Sequence, residues 1–369
     1  MFCWGRVSWL SLAGVVGLAI LGACSSNAIE QLPVVEPGRT DVLAPYEEAD
    51  WPAYLKQLGL PRSRDYVTVA FLPTKYPFDL RDPQAARASL LRGFTDPTAE
   101  LENDTKIGHT IVGWQCGAHQ GMASMTGGKG NVELAMLAQG WGLAPFFSTF
   151  NDGSLYPEGG HRRVHMDGLK AGGGVVTAIE VGRAECESLR AALTRFLTHP
   201  TQPHTRFGML VDPARFEGGG CISFAAYLLN AAGVMREVTP HFRREVPIHA
   251  GMIGIPATRP PKVEPYVPPD PSCCPGPRSV FAAMSTDWGA TPVVDRVWSL
   301  DTELIFAGLV EMRRGVAPDD DWRFSRVLAP DGDGPLLAVM AAARRFAELY
   351  PVRRIADPGG TAALVLERR

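Results

Sequence analysis

Residues 216–234 read FEGGGCISFAAYLLNAAGV. Three glycines run into an apolar stretch with helical composition, and Gly233 follows its last turn, so the segment predicts a buried helix from Cys221 to Ala232 closed by a glycine. The helix opens on its cysteine. A thiol in that place meets unpaired N–H groups and the positive end of the helix dipole, both of which favour thiolate, the form that acts as nucleophile. Glycines just upstream let a carbonyl approach closely, and the backbone at Gly219 and Gly220 is the expected donor set for an oxyanion formed during acyl transfer.

Working outward, 65–72 (DYVTVAFL) predicts a strand and 82–93 a helix with Leu90 and Leu91 on its apolar side. A second strand is expected over 107–116 (IGHTIVGWQC), stopped by Gly117. It carries His109, an imidazole on a rigid element, suited to take a thiol proton and return it to a leaving group. Further on, 131–139 has helical composition. The stretch 174–181 (GVVTAIEV) is the strongest strand signal, and 184–197 places Leu189, Leu193, Phe196 and Leu197 at helical spacing. After the cysteine helix, 256–277 is proline-dense and reads as a linker or a strap over the main domain. Beyond it, helices are expected near 300–314 and 336–349, with a final strand at 361–366.

A histidine on a strand, followed 112 positions later by a cysteine that opens an apolar helix, resembles the circularly permuted papain-like cysteine hydrolases and acyltransferases, the group of lecithin retinol acyltransferase and bacterial cell-wall peptidase relatives. The resemblance covers about 65–256 and rests on GHTIV, the strand and helix at 174–197, and GGGCISFAAYLL. It implies an α+β fold with an antiparallel sheet packed on the helix that carries Cys221 at its N-terminus. It also implies Cys221 as nucleophile and His109 as base. A third polar residue should orient the imidazole. Gln115 is six residues along the same strand, about 20 Å away, so the group must come from a neighbouring strand. His119, Gln120 and Ser124 lie in or after the turn beyond Gly117, and His119 is the preferred candidate.

The first residues carry a charge at Arg6, then an apolar stretch from Val7 to Leu21 and the tetrapeptide Leu21-Gly22-Ala23-Cys24. That stretch is short for a membrane span and ends in small residues, as a cleaved signal segment does. The tetrapeptide resembles the lipobox of bacterial lipoproteins, which implies acylation of Cys24 after removal of 1–23 and, with Ser25 next, an outer-membrane location facing the periplasm. The expected organisation is a tether over 24–50, a papain-like domain over 51–256, a Pro-rich linker over 257–277 and a helical extension over 278–369. Apolar content of 46% and a net charge of −3 describe a globular chain without the basic surface that nucleic acid requires.

Seven cysteines are present. Cys3 leaves with the signal and Cys24 carries lipid, so an odd number remains in a compartment where disulfides form, and one thiol is left over. Cys116 with Cys186 is a feasible pair. The adjacent Cys273 and Cys274 suit distant partners better than each other. No cysteine spacing matches a zinc set. His161 and His165 (HRRVH) would share a face on a helix, but Gly159, Gly160 and Gly168 favour a loop there, and Asp331–Gly334 reads as a solvated turn. No metal or cofactor is expected. The substrate class is an envelope amide or ester, in a peptide or a lipid. The rival expectation is a catalytically silent lipoprotein that binds a ligand or partner in the same cleft, with Cys221 as a buried structural cysteine.

Overall fold

The computed structural model describes residues 41–47, 58–96, 98, 107–127, 132–155, 160–356 and 363–368. In chain order its main elements are β1 (Asp65–Leu72), α1 (Pro83–Thr95), β2 (His109–Cys116), β3 (His119–Ala123), α2 (Val132–Gln139), α3 (Gly160–Lys170), β4 (Val175–Val181), α4 (Arg183–Thr198), α5 (Cys221–Ala231), β5 (Arg243–His249), β6 (Val293–Leu300), α6 (Thr302–Glu311), α7 (Gly334–Glu348), β7 (Val352–Ala356) and β8 (Ala363–Glu367). The signal segment and Cys24 lie outside the described residues.

Six strands form one sheet in the order β7-β8-β4-β1-β2-β3. All neighbours run antiparallel except β8 and β4, which are parallel, so the sheet is mixed and not the purely antiparallel one expected. β1 is buried along its whole length because both faces are covered. Val67, Val69 and Phe71 face α4, α5, α6 and α7, while Tyr66, Ala70 and Leu72 face α3. A strand covered on both faces reads as a continuous apolar run, which DYVTVAFL nearly is.

Caps set where the helices begin. Asp82 accepts the N–H groups of Gln84 and Ala85 ahead of α1, and Asp301 accepts that of Glu303 ahead of α6. The C-terminal third is not an appended extension. β8 adds to the central sheet beside β4, and Leu304, Phe306, Leu309, Val339 and Phe346 belong to the main core. The proline-dense stretch is a strap: Val263–Glu264 pairs with Thr149–Phe150, and Tyr266 donates its hydroxyl to Asp295 at 2.6 Å. Nor does the stretch 43–47 belong to a tether. Leu43 and Tyr46 are in the main core, and Glu47 accepts from Arg190 at 2.6 and 2.9 Å and from the Trp114 indole at 3.0 Å.

The β2–β3 hairpin shows how tightly the sheet holds the site strand. Trp114 is fully buried opposite Gly121, and a Cβ at 121 would overlap its ring. Overpacking against a rigid indole costs about 1–3 kcal/mol. Gly121→Ala is therefore expected to lower the unfolding free energy by that amount, read as a lower denaturant midpoint with an unchanged slope; an unchanged midpoint would show that the ring has room to move.

Candidate active site

β2 and β3 pair from Cys116–His119 to Val112–Ala123. The chain then leaves the sheet through Ser124 into Met125–Thr126, which pairs with Ser154–Leu155. Near this divergence the backbone of Thr110 is met by side chains. Its carbonyl accepts the Ser124 hydroxyl at 2.6 Å, and its N–H is directed at the thiol of Cys221. The sulfur arrives there because α5 packs on β2, with Phe224, Ala225 and Leu228 in the same core as Val112 and Trp114.

Three backbone N–H groups act on the Cys221 sulfur: those of Thr110, of Ile222 and its own. The last two are unpaired donors of the first helical turn, as expected. Burial opposes them and is the larger effect, so the thiol is pushed up to about 11. At pH 7 about one molecule in 10⁴ then carries thiolate. Cys221 is the free cysteine among the described residues. Cys116 is bonded to Cys186, and Cys273 to Cys274, the latter an adjacent pairing against expectation.

His109 follows Gly108, which has φ +90° and abuts the Phe71 ring, so a side chain at 108 is excluded. Strand alternation directs the imidazole with Ile111 to the face that carries α3. There it stacks on His165 with centroids 4.2 Å apart, and its Nε2 lies 2.9 Å from Ser124 Oγ. Ser124 has one proton, and its shorter contact is the Thr110 carbonyl. The bond to His109 is then donated by Nε2–H. Cys221 and His109 thus reach the same end of β2 from opposite faces of the sheet.

Two expectations need correction. His119 is not the orienting group. It pairs with Cys116 at the far end of the hairpin, roughly 20 Å along the strand from His109, where it is exposed and 3.1 Å from Glu47. Gln120 is bonded to Gln115, and of the three candidates it is Ser124 that meets the imidazole. The glycine run does not supply oxyanion donors either. Gly219 N–H is given to the Arg206 carbonyl at 2.9 Å and Gly220 N–H to Ser223 Oγ at 2.8 Å. Gly218 instead permits close approach of the Arg206 backbone at φ +135°, so the run serves chain packing. The donors that remain at the helix start are those of Cys221 and Ile222.

His165 was legible only as half of a metal pair. Residues 160–170 are helical and not a loop, which brings His165 under His109, while the His161 side chain lies outside the described residues. Among the described residues no His, Cys, Asp and Glu cluster is placed to hold a metal ion, and no helix is long and apolar enough to cross a membrane. Thr110 adds a buried hydroxyl on the α5 face with no hydrogen-bond partner among the described residues. No protein family, curated protein or solved structure matches the chain.

Proposed function

We propose that this chain is an exported lipoprotein, anchored through Cys24, whose permuted papain-like core cleaves or transfers an acyl group in an envelope amide or ester through Cys221. The observation that carries the reading is the Cys221 sulfur at the opening of α5, ringed by backbone N–H groups and set against the residue that follows His109. A thiol near 11 is protonated at rest, so attack requires proton transfer to His109 in the same step. His109 lies past the last β2–β3 pair, Val112–Ala123, so the end of the strand, not the ring alone, turns to carry the imidazole from Ser124 to the α5 face when substrate is bound. The ring then takes the thiol proton as the sulfur–acyl bond forms and delivers it to the leaving group. The Cys221 N–H, with that of Ile222, faces the developing oxyanion.

A second reading, the catalytically silent binding protein, is favoured by the ring contacts of His109 with Ser124 and His165 and by the protonated thiol. Pre-steady-state kinetics with p-nitrophenyl butyrate separates the two. Under the catalytic reading the full chain releases a burst of nitrophenolate equal to the protein present, with a thioester on Cys221 found by mass spectrometry. Cys221→Ala and His109→Ala both abolish it. Absence of a burst and of any thioester, also with peptidoglycan fragments as substrate, leaves the binding protein.

A further inference from the structure

We infer that the groove between α5 and the β5–β6 ribbon is a binding site for a neutral oligosaccharide. The helix has two faces. Cys221, Phe224 and Leu228 point into the core, while Ser223, Tyr227 and Asn230 line the groove, with Trp298 and Arg243 of the ribbon across from them and the loop 209–217 along one side. The groove is open to solvent on one side and its volume is about 540 Å³, within the roughly 300–1,000 Å³ of small-molecule sites.

Its chemistry selects the ligand. Trp298 is 62% exposed, an indole open to solvent on a wall that mixes polar side chains with apolar ones such as Leu210, Val211 and Leu300. Pyranose rings present a flat C–H face that stacks on such an aromatic surface, and a rim of hydroxyls that needs donors and acceptors around it. The groove's charges cancel. Asp212 and Glu217 stand against Arg215 and Arg243, Arg215 is tied to Glu217 at 2.6 Å, and the Asp212 carboxylate takes the Ala214 N–H. A balanced wall gives no field to draw in an anion or a cation, so it suits an uncharged polyol. Asn230 accepts the Thr239 hydroxyl on Oδ1, so what it offers a ligand is its NH2. The site lies on the opposite side of α5 from the thiol and does not rest on the chemistry proposed for Cys221.

Calorimetric titration of the full chain in a zwitterionic detergent, with chitotetraose and cellotetraose as neutral probes and tetragalacturonate as the anionic one, tests the assignment. Expected is saturable binding of a neutral tetrasaccharide, insensitive to salt. It should weaken by about tenfold or more in Trp298→Ala, partly recover in Trp298→Phe, and be unchanged in Cys221→Ala. Because Trp298 is exposed, the variants keep the far-ultraviolet circular dichroism of the parent. No binding of either neutral probe, equal affinity in Trp298→Ala, or salt-dependent preference for tetragalacturonate would each overturn the inference.

Discussion

Arg244→Met is expected to lower the unfolding free energy by about 3–5 kcal/mol, the cost of leaving buried charge without its partner. Arg244 on β5 is buried and bonds two buried carboxylates: Asp301 at 2.6 Å, and Asp333 at 3.0 and 2.7 Å. These aspartates sit at the N-terminal caps of α6 and α7, so one guanidinium fixes a ribbon strand to the starts of two core helices. The two carboxylates favour the charged form of Arg244, whereas burial pushes Asp301 up to about 6. Asp301 therefore binds its proton more tightly in the folded chain than in the unfolded one. Its contribution is most favourable below the unfolded value near 4 and is lost as pH rises through about 6, by up to about 3 kcal/mol. Removing the guanidinium moves that window upward. The deficit of Arg244→Met, measured by chemical denaturation, should then be larger at pH 8 than at pH 5. Equal deficits, or a loss below about 1 kcal/mol, would mean that the carboxylates find other partners or water.

Much of this architecture was legible because the central elements carry dense local signals. β1, β4, α4, α5 and α7 stand within a residue or two of their expected places, since their apolar runs are buried by the core they build. The ribbon β5–β6 was missed for two reasons. RREVPIH interrupts its alternation with Pro247, and its partner strand lies 44 residues later, paired through contacts that leave no local trace. The parallel seating of β8 beside β4 is likewise a long-range choice. Asp333 illustrates the limit of reading composition: DGDG describes a solvated turn, yet its second aspartate is drawn inside by Arg244. At the site, Cys221 opening α5 and His109 on β2 were both recoverable. The relation between them was not, because it depends on which sheet face α5 covers. Once Val112 and Trp114 are known to face α5, alternation alone assigns His109 to the other side.

That opposition of faces makes a definite forecast for the thiol. In the resting chain Cys221 should alkylate with iodoacetamide at pH 7.5 about 100-fold more slowly than an ordinary thiol, since a value near 11 in place of 9 reduces the thiolate fraction by two decades. The higher intrinsic nucleophilicity of a more basic sulfur recovers part of that loss, so the measured deficit will fall somewhat short of it. The rate should climb with pH up to about 11. Substitution of His109 by alanine should leave the profile in place, because the groups acting on the sulfur are backbone N–H groups and the surrounding core. The opposite result would be rapid labelling at pH 6–7 that disappears in His109→Ala. It would mean that the imidazole occupies the α5 face in solution as the partner of a preformed thiolate, and it would overturn the resting geometry while strengthening the catalytic reading. Slow labelling together with an ester burst would instead fix the order of events: the ring leaves Ser124 only when an acyl group is in place, and the thiol is spared oxidation between turnovers because it is not a thiolate.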